Sequence, residues 1–453
     1  MRNLLEKYGV QGPRYTSFPA VPHWKGAPAI EKWKESLDAA EIDIYIHIPF
    51  CKELCSYCGC HRVITKNESR QDPYVEALIE EWKLYRDGVW GGKPPRINSI
   101  HLGGGTPTFL SPANLHRLAS FILGTGASPN FIGAIEVDPR TCQDEHLTVL
   151  RQLGFSRISM GVQDFDPNVQ TEIRRHQSVA MVEKLVASAR QKGFESVTFD
   201  LIYGLPAQTL ESFTQTLNTV MKLAPDQIAL YNYAHLPDKI SNQKLINADL
   251  LPQGMAKTEL FLASEKIFLE CDYVSIGLDH FAKRNSPLGR AKLEKRLLRN
   301  FMGHTDKKSS VMIGLGVSSI SNTPDYFVQN EKEIAAYQNK IAAGELPITF
   351  GHCLTLQDKI VGEIIQDLMC NERITQANLE TLEALDASYT RQEIEKKMVP
   401  FIQDGILSAS DGGYLVMPGG RLFLRNVAMA FDPYLKQNAQ TNSPGKNNFS
   451  RTI

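Results

Sequence analysis

Four of the chain's eight cysteines fall in the ten-residue stretch CKELCSYCGC, at Cys51, Cys55, Cys58 and Cys60. The first three have the spacing Cys-x3-Cys-x2-Cys on a loop directly after a β-type run, where thiolates can converge on one soft metal centre. Three thiolates satisfy three irons of a cubane and leave the fourth open. The amino and carboxylate groups of S-adenosylmethionine (SAM) could ligate it, and the chemistry this points to is reductive cleavage of SAM. A structural zinc site competes with this reading, but it prefers two separated Cys-x2-Cys pairs, and the sequence has no second pair. Cys60 follows Cys58 across a single glycine, an awkward geometry for a cubane corner. It is read as a small buried thiol or as a functional neighbour of the cluster, not as a ligand.

Other groups of suitable chemistry fall at the same edge. Gly103-Gly104-Gly105-Thr106-Pro107 follows the second β-type run, where glycines let a ligand approach the backbone amides closely. Glu136, Asp138, Gln163, Arg175 and Asp200 lie at or just beyond strand ends. Acids suit an ammonium and a ribose diol, and an arginine fork suits a carboxylate. Singly each is an ordinary polar strand-end residue, which is the preferred reading for Asp138 and Arg174; together they form a cofactor cradle. Tyr45, His47 and Tyr57 could pack against the cluster or an adenine ring, although His47 is read first as a satisfied interior histidine.

These groups need a scaffold that brings strand ends together. Six β-type runs, at 42–50, 99–105, 133–139, 157–163, 197–206 and 227–235, alternate with segments of helical periodicity, the pattern of a parallel sheet covered by helices. Several of those segments open with an Asp, Ser or Thr suited to N-capping (72–86, 111–123, 209–223). An open doubly wound sheet and a curved barrel both fit the repeat. Within 42–48 the isoleucines Ile42, Ile44, Ile46 and Ile48 share one face and Asp43, Tyr45 and His47 the other, which favours a barrel with a polar interior. Further β-type runs are expected at 273–282 and 311–321, and helix from about 326. A pair of β-type runs around Asp411-Gly412-Gly413, between helices, resembles a winged helix, and a polar tail follows.

With 49 Lys and Arg against 50 Asp and Glu, the chain offers no whole-molecule attraction for nucleic acid. It has no apolar run of signal-peptide or membrane-spanning length. A cytoplasmic monomer is expected.

The sequence is identified as resembling the oxygen-independent coproporphyrinogen III oxidases of the radical SAM superfamily. The resemblance rests on GPRYTSFPA (12–20), YIHIPFCKELCSYCGC (45–60), HLGGGTPTFL (101–110), EVDPR (136–140), MGVQDF (160–165), DLIYGLPAQT (200–209), NYAHLP (232–237), GLDHFA (277–282), LGVSSIS (315–321) and the terminal FSRTI. It runs nearly end to end. The Cys-x-Cys ending of the cluster loop and the PRYTSFP arm set the sequence apart from haem-chaperone relatives. The resemblance implies an α/β fold: a partial (β/α)6 radical SAM barrel at 36–325 with additional strands, an N-terminal arm (1–35) over the active site, and a mostly helical C-terminal domain (326–453).

It also implies one four-iron, four-sulfur cluster on Cys51, Cys55 and Cys58, and two SAM molecules. The first would meet Tyr45, Gly104, Glu136 and Ile320, and the second Tyr57, Gly105, Thr106, Gln163, Arg175, Asp200 and Ala234. Tyr45, Glu136 and Cys60 are the expected catalytic residues. The substrate implied is coproporphyrinogen III, with Arg14 and Arg299 as candidate propionate contacts, an electron donor to the cluster and a separate electron acceptor. Tyr57, His61, His176 and the segment LLRNFMGHT (297–305) depart from the family pattern, which keeps open a paralogue acting on another tetrapyrrole or a haem-binding chaperone. An electron carrier would hold a reducible cluster without cleaving SAM.

Overall fold

The alternation in the first β-type run settles which way the sheet faces. In a computed structural model, which describes residues 2–452 apart from 308, 387–388 and 436–448, that run is strand β1 (Glu41–Ile48). Its four isoleucines are fully buried and belong to the same core as Tyr74, Val75 and Leu78 of helix α1 (Gln71–Gly88). Burying each isoleucine contributes about 2–3 kcal/mol. The other five parallel strands are β2 (Arg96–Gly104), β3 (Ala127–Val137), β4 (Phe155–Gln163), β5 (Ser196–Tyr203) and β6 (Gln227–Asn232). They pair in chain order, so the carboxyl ends of all six line one edge.

Two of the three N-cap expectations hold. Ser111 accepts from the amide of Asn114 at the start of helix α2 (Pro112–Leu123), and Thr209 forms a capping box with Ser212 at helix α3 (Leu210–Leu223). Each cap contributes about 1 kcal/mol. Asp72 instead lies inside the first turn of α1, which begins one residue earlier.

The sheet does not stop at six strands. The run at 273–282 is two antiparallel strands, β7 (Tyr273–Ser275) and β8 (His280–Lys283), and the run at 311–321 is two more, β9 (Met312–Leu315) and β10 (Ile320–Asn322). Left-handed backbone at Gly277 and Leu278, and at Gly316 and Ser318, breaks each run into a hairpin. The helix expected from 326 is present at Ile334–Ala342, but it is flanked by strand: β11 (Tyr326–Asn330) precedes it, β12 (Ile348–Cys353) follows it, and the two pair antiparallel. The full order is β12-β11-β10-β9-β1-β2-β3-β4-β5-β6-β8-β7, an unclosed twelve-stranded sheet. Sheet structure therefore continues past residue 325, the boundary read from the sequence.

Helix α4 (Leu356–Asn371) begins a second core, around Val361, Ile364, Leu368, Met398 and Phe423. Strands β13 (Arg373–Ile374), β14 (Leu407–Ser410) and β15 (Gly413–Val416) form a small sheet there, the hairpin expected at Asp411-Gly412-Gly413. Tyr8, Tyr15 and Phe18 of the N-terminal arm are built into this second core. Most of the polar tail (437–453) lies outside the described residues.

Glu81 of α1 ties the barrel to its antiparallel extension. Fully buried, it accepts from the Gly316 amide (2.7 Å), Asn330 Nδ2 (2.6 Å) and Tyr337 Oη (2.6 Å). Burial pushes its carboxyl up to about 7 against these three donors. The unfolded chain releases that proton near pH 4.3, so the native state binds the extra proton in between and stability falls as pH rises from about 4.5 to 7. Glu81→Gln is expected to flatten that part of a melting-temperature profile. Glu81→Leu, which leaves three donors unpaired, is expected to cost about 3–5 kcal/mol. An unchanged slope in Glu81→Gln assigns the dependence to another group.

Candidate functional site

The cysteine loop leaves β1 at Ile48 and is held from several sides. The Gly105 amide donates to Ile48 O (2.8 Å), and residues 50–51 pair with 63–64. Ser56 bonds through its amide to Ile173 O (3.1 Å) and through its hydroxyl to Glu172 O (3.0 Å). Asn242 Nδ2 reaches the carbonyls of Cys55, Ser56 and Cys58 (3.2, 2.9 and 3.0 Å), while Gln243 Nε2 reaches those of Tyr57 and Ala234. Neither amide was singled out from the sequence. Both follow β6 by about ten residues and carry no local motif.

The glycine triplet is a requirement for space. A Cβ on Gly103 would sit 3.0 Å from Glu136 Oε1 and from the Tyr45 ring. On Gly104, at φ +114°, it would meet the His47 ring at 2.8 Å, and on Gly105 it would meet Pro49 O at 2.7 Å. The open backbone lets the Gly104 amide donate to Glu136 Oε2 (3.3 Å). Glu136 also takes His101 Nε2 (3.1 Å), and although burial works to raise its pKa, that hydrogen bond holds it below the usual carboxylate range. Asp200 goes the other way, raised to about 7 by burial and by the charge of Glu136, and it accepts from Ser159 Oγ (3.1 Å). The two carboxyls are thus separated, one ionised and one ready to carry a proton near neutrality.

Together these residues enclose a chamber of about 860 Å³ lined by Cys51, Cys55, Tyr57, Cys58 and Cys60, by Gly104, Gly105 and Thr106, and by Glu136, Gln163, Arg175, Asp200 and Ala234. Among the described residues, Tyr45 and Ile320 stand outside this lining. The Tyr45 hydroxyl is instead engaged with His47 Nδ1 (3.1 Å), and Ile320 lies in β10 with its backbone against Gly314. His47 Nε2 meets His61 O (3.0 Å), which assigns it the proton and leaves Nδ1 as acceptor. Burial holds this ring down to about 4, so His47 is the satisfied, neutral interior histidine of the simpler reading.

Asp138 is more heavily engaged than a typical strand-end acid. It is a buried hub that accepts from Arg140 (Nη2, 2.6 Å) and Arg175 (Nη1, 3.0 Å). Arg175 also donates to Gly161 O (2.6 Å), so most of its fork is committed within the protein. Its Nε has no partner among the described residues. Arg174, next to it, is exposed.

The thiols fit a cluster. Cys51 Sγ lies 3.3 Å from Thr106 Oγ1, and Cys55 Sγ lies 3.7 Å from both Arg140 and Arg175. Burial pushes Cys51 up to about 11, whereas the hydrogen bond with Cys60 brings Cys58 down to about 6. Among the described residues no three His, Cys, Asp or Glu converge as for one metal ion. A cubane makes no such demand, because each thiolate takes a separate iron.

A profile of the Radical SAM superfamily matches residues 45–220, the segment that carries most of the chamber lining. The oxygen-independent coproporphyrinogen III oxidase of Pseudomonas aeruginosa is 36% identical, over 100% of this chain and 98% of its own. That of Escherichia coli is 36% identical over 99% and 98%. The chain belongs to the oxygen-independent coproporphyrinogen III oxidase family. A solved structure of the Escherichia coli coproporphyrinogen III oxidase, described as a radical SAM enzyme, superposes with a TM-score of 0.87 at 35% identity, covering 93% of this chain and 97% of that one. Membership of this family brings a four-iron, four-sulfur cluster and SAM.

The positions read from the sequence as departing from the family pattern are distributed unevenly. Tyr57 and His176 line the chamber, and the His61 ring lies 5.9 Å from that of His47. Residues 298–305 form a hairpin in which Arg299 Nη1 faces His304 Nδ1 at 3.2 Å. Among the described residues, no helix is long and apolar enough to cross a membrane.

Proposed function

We propose that this chain converts two propionates of coproporphyrinogen III to vinyl groups, giving protoporphyrinogen IX in haem biosynthesis. The observation that carries the substrate is a second cavity of about 500 Å³ that opens beside the chamber and shares Arg14, Asn232, Tyr233 and Ala234 with it. Arg14, Lys257, Arg425 and Arg451 line it, against Asp279 as the one carboxylate among its described lining residues. Four cations to one acid, in a protein of net charge -1, suit a ligand bearing several carboxylates. Lys257, lowered to about 8 by burial, remains mostly charged at neutral pH. Only Arg14 of these four follows from the sequence reading.

Cys51, Cys55 and Cys58 would hold the cluster. When bound, it supplies the electron that splits SAM into methionine and a 5′-deoxyadenosyl radical able to take a hydrogen atom from a propionate β-carbon. Loss of CO2 and one further electron to an acceptor then leaves the vinyl group. The protein's own work is positioning and exclusion of water. Glu136 offers an ionised carboxylate to the SAM ammonium, and Gly104 an open backbone. Gln163, Asp200, Arg175 Nε, Tyr57, Gly105, Thr106 and Ala234 would receive a second SAM, while Tyr45 and Ile320 support the first from behind the chamber wall. Cys60, beside Cys58, faces the same space. The arm (1–35) would close the substrate cavity between the barrel and the C-terminal domain. The reading includes a monomer in a reducing cytoplasm, with a separate donor reducing the cluster.

The test is anaerobic reconstitution followed by reductant, SAM and coproporphyrinogen III. Vinyl-bearing product with stoichiometric 5′-deoxyadenosine is expected. Formation of 5′-deoxyadenosine without tetrapyrrole product overturns the substrate, and tight haem binding without SAM cleavage points to a chaperone.

A further inference from the structure

Among the three candidate ligands, Cys55 stands in a distinct electrostatic setting. Its sulfur is 3.7 Å from Arg140 Nη2 and 3.7 Å from Arg175 Nη1. Cys51 Sγ faces the neutral hydroxyl of Thr106, and Cys58 faces Cys60.

The two guanidinium groups are not free to swing. Arg140 is gripped by Asp138 at three atoms: its amide to Oδ1 (3.0 Å), Nε to Oδ1 (3.0 Å) and Nη2 to Oδ2 (2.6 Å). Its Nη1 donates to Glu53 Oε2 (2.9 Å) on the cysteine loop itself. Arg175 shares the same Asp138 Oδ2 and is fixed on its other side by Gly161 O. The side chains of Asp138, Arg140 and Arg175 retain 9%, 14% and 7% of their exposure, so water screens the group little. Glu53, at 59%, is solvated. Excluding it, two cations and one carboxylate leave one net positive charge, and Cys55 is the sulfur that both guanidinium groups hydrogen-bond, whereas Arg62 and Arg175 act on Cys58, and Arg62 on Cys51, only through longer-range charge.

Charge-assisted hydrogen bonds to a ligating sulfur stabilise the electron-rich form of a cluster and raise its reduction potential. We infer that Asp138 and Arg140, with Arg175, form a clamp on the Cys55 thiolate that sets the cluster's reduction potential. Arg140 is here a positioning and tuning residue that does not touch SAM. The inference rests on Cys55 as a cluster ligand.

The test is an anaerobic EPR-monitored redox titration of the reconstituted full-length protein, with iron content measured alongside. Arg140→Gln is expected to make the midpoint potential more negative by a tenfold change in the one-electron equilibrium, or 59 mV. Arg140→Lys, which keeps the charge but loses the fork, should fall in between. Asp138→Asn separates charge from placement. A bare charge effect would raise the potential, whereas release of Arg140 from the sulfur lowers it, and lowering is expected. Arg174→Gln removes an exposed cation one residue from Arg175 and should leave the potential unchanged. Equal potentials in wild type and Arg140→Gln at equal iron content overturn the clamp. If Cys55→Ser retains a full complement of cluster, the ligand reading fails instead, and the two failures are distinguishable.

Discussion

Serine at any one of Cys51, Cys55 or Cys58 is expected to abolish decarboxylation and to lower bound iron and sulfide sharply after reconstitution. Serine at Cys60 should leave the cluster in place. Outer-shell partners of a metal site are typically worth 10–100-fold in affinity or activity, so direct ligands should exceed this, at about 10³-fold or more in turnover. The contrast with Cys60 is the informative part. All four thiols face one chamber, and proximity alone would not rank them. Chain geometry does: the first three are spaced along a loop whose backbone is held at Cys55, Ser56 and Cys58 by Asn242. Cys60 lies beyond those anchors and is exposed to the chamber. Iron and sulfide analysis with visible absorption decides the point. Loss of the cluster in Cys60→Ser, or its retention in Cys58→Ser, would reassign the third ligand. Activity lost with the cluster intact in Cys60→Ser would place that thiol in the chemistry itself.

How far the sequence could be read depended on the range of the interaction involved. The six parallel strands were legible because alternation along a strand is local: Ile42, Ile44, Ile46 and Ile48 announce a buried face without reference to any partner. The cysteine triad and the glycine turn were legible for the same reason. The hairpins at 273–283 and 312–322 were merged into single runs because the break lies in backbone conformation, at Gly277 and Gly316, and apolar periodicity does not register it. Strands β11 and β12 are short and lie beside a helical pattern, and only the pairing of β11 to β10 and of β12 to β11 makes them strands.

The site divides in the same way. Glu136 and Asp200 could be placed on an inner face from strand register. Asp138 could not be told from an ordinary strand-end acid, because its role depends on Arg140 and on Arg175, which is 37 residues further along the chain. Lys257 and Arg425 reach the second cavity only through the packing of the arm, the barrel and the C-terminal core. Each looks like a surface cation when read in its own segment.

That packing makes Arg14 the position at which the arm's stability and the enzyme's turnover should fail together. Arg14 Nη2 pairs with Asp279 Oδ2 at 2.8 Å, and Asp279 Oδ1 meets His280 Nδ1 at 3.2 Å. Burial alone would raise the Asp279 carboxyl, but Arg14 overrides it and holds the group well below its ordinary range. A carboxyl depressed in the folded state adds stability above its unfolded pKa near 3.9 and loses it as pH falls through and below that value. The arm is therefore fixed most firmly at neutral pH.

Arg14→Gln leaves Asp279, only 12% exposed, without its cation. Removing one partner of a buried pair costs about 3–5 kcal/mol. The Arg14 side chain is 35% exposed, so solvent screening reduces the expected cost to about 1–3 kcal/mol. The arm has further anchors, since Tyr15 Oη donates to Asp432 and Arg425 binds the carbonyls of Gly12 and Pro13. The variant should stay folded, with faster hydrogen exchange over residues 8–18. Its turnover should fall by about 10²-fold, the scale set by misplacing a reacting group, and KM for the porphyrinogen should rise while the cluster's spectra stay unchanged. Arg14→Lys should recover part of the stability and less of the turnover, because an ammonium restores the charge but not the planar fork. Wild-type turnover in Arg14→Gln would remove the arm from the catalytic cycle and leave it a strut of the C-terminal core.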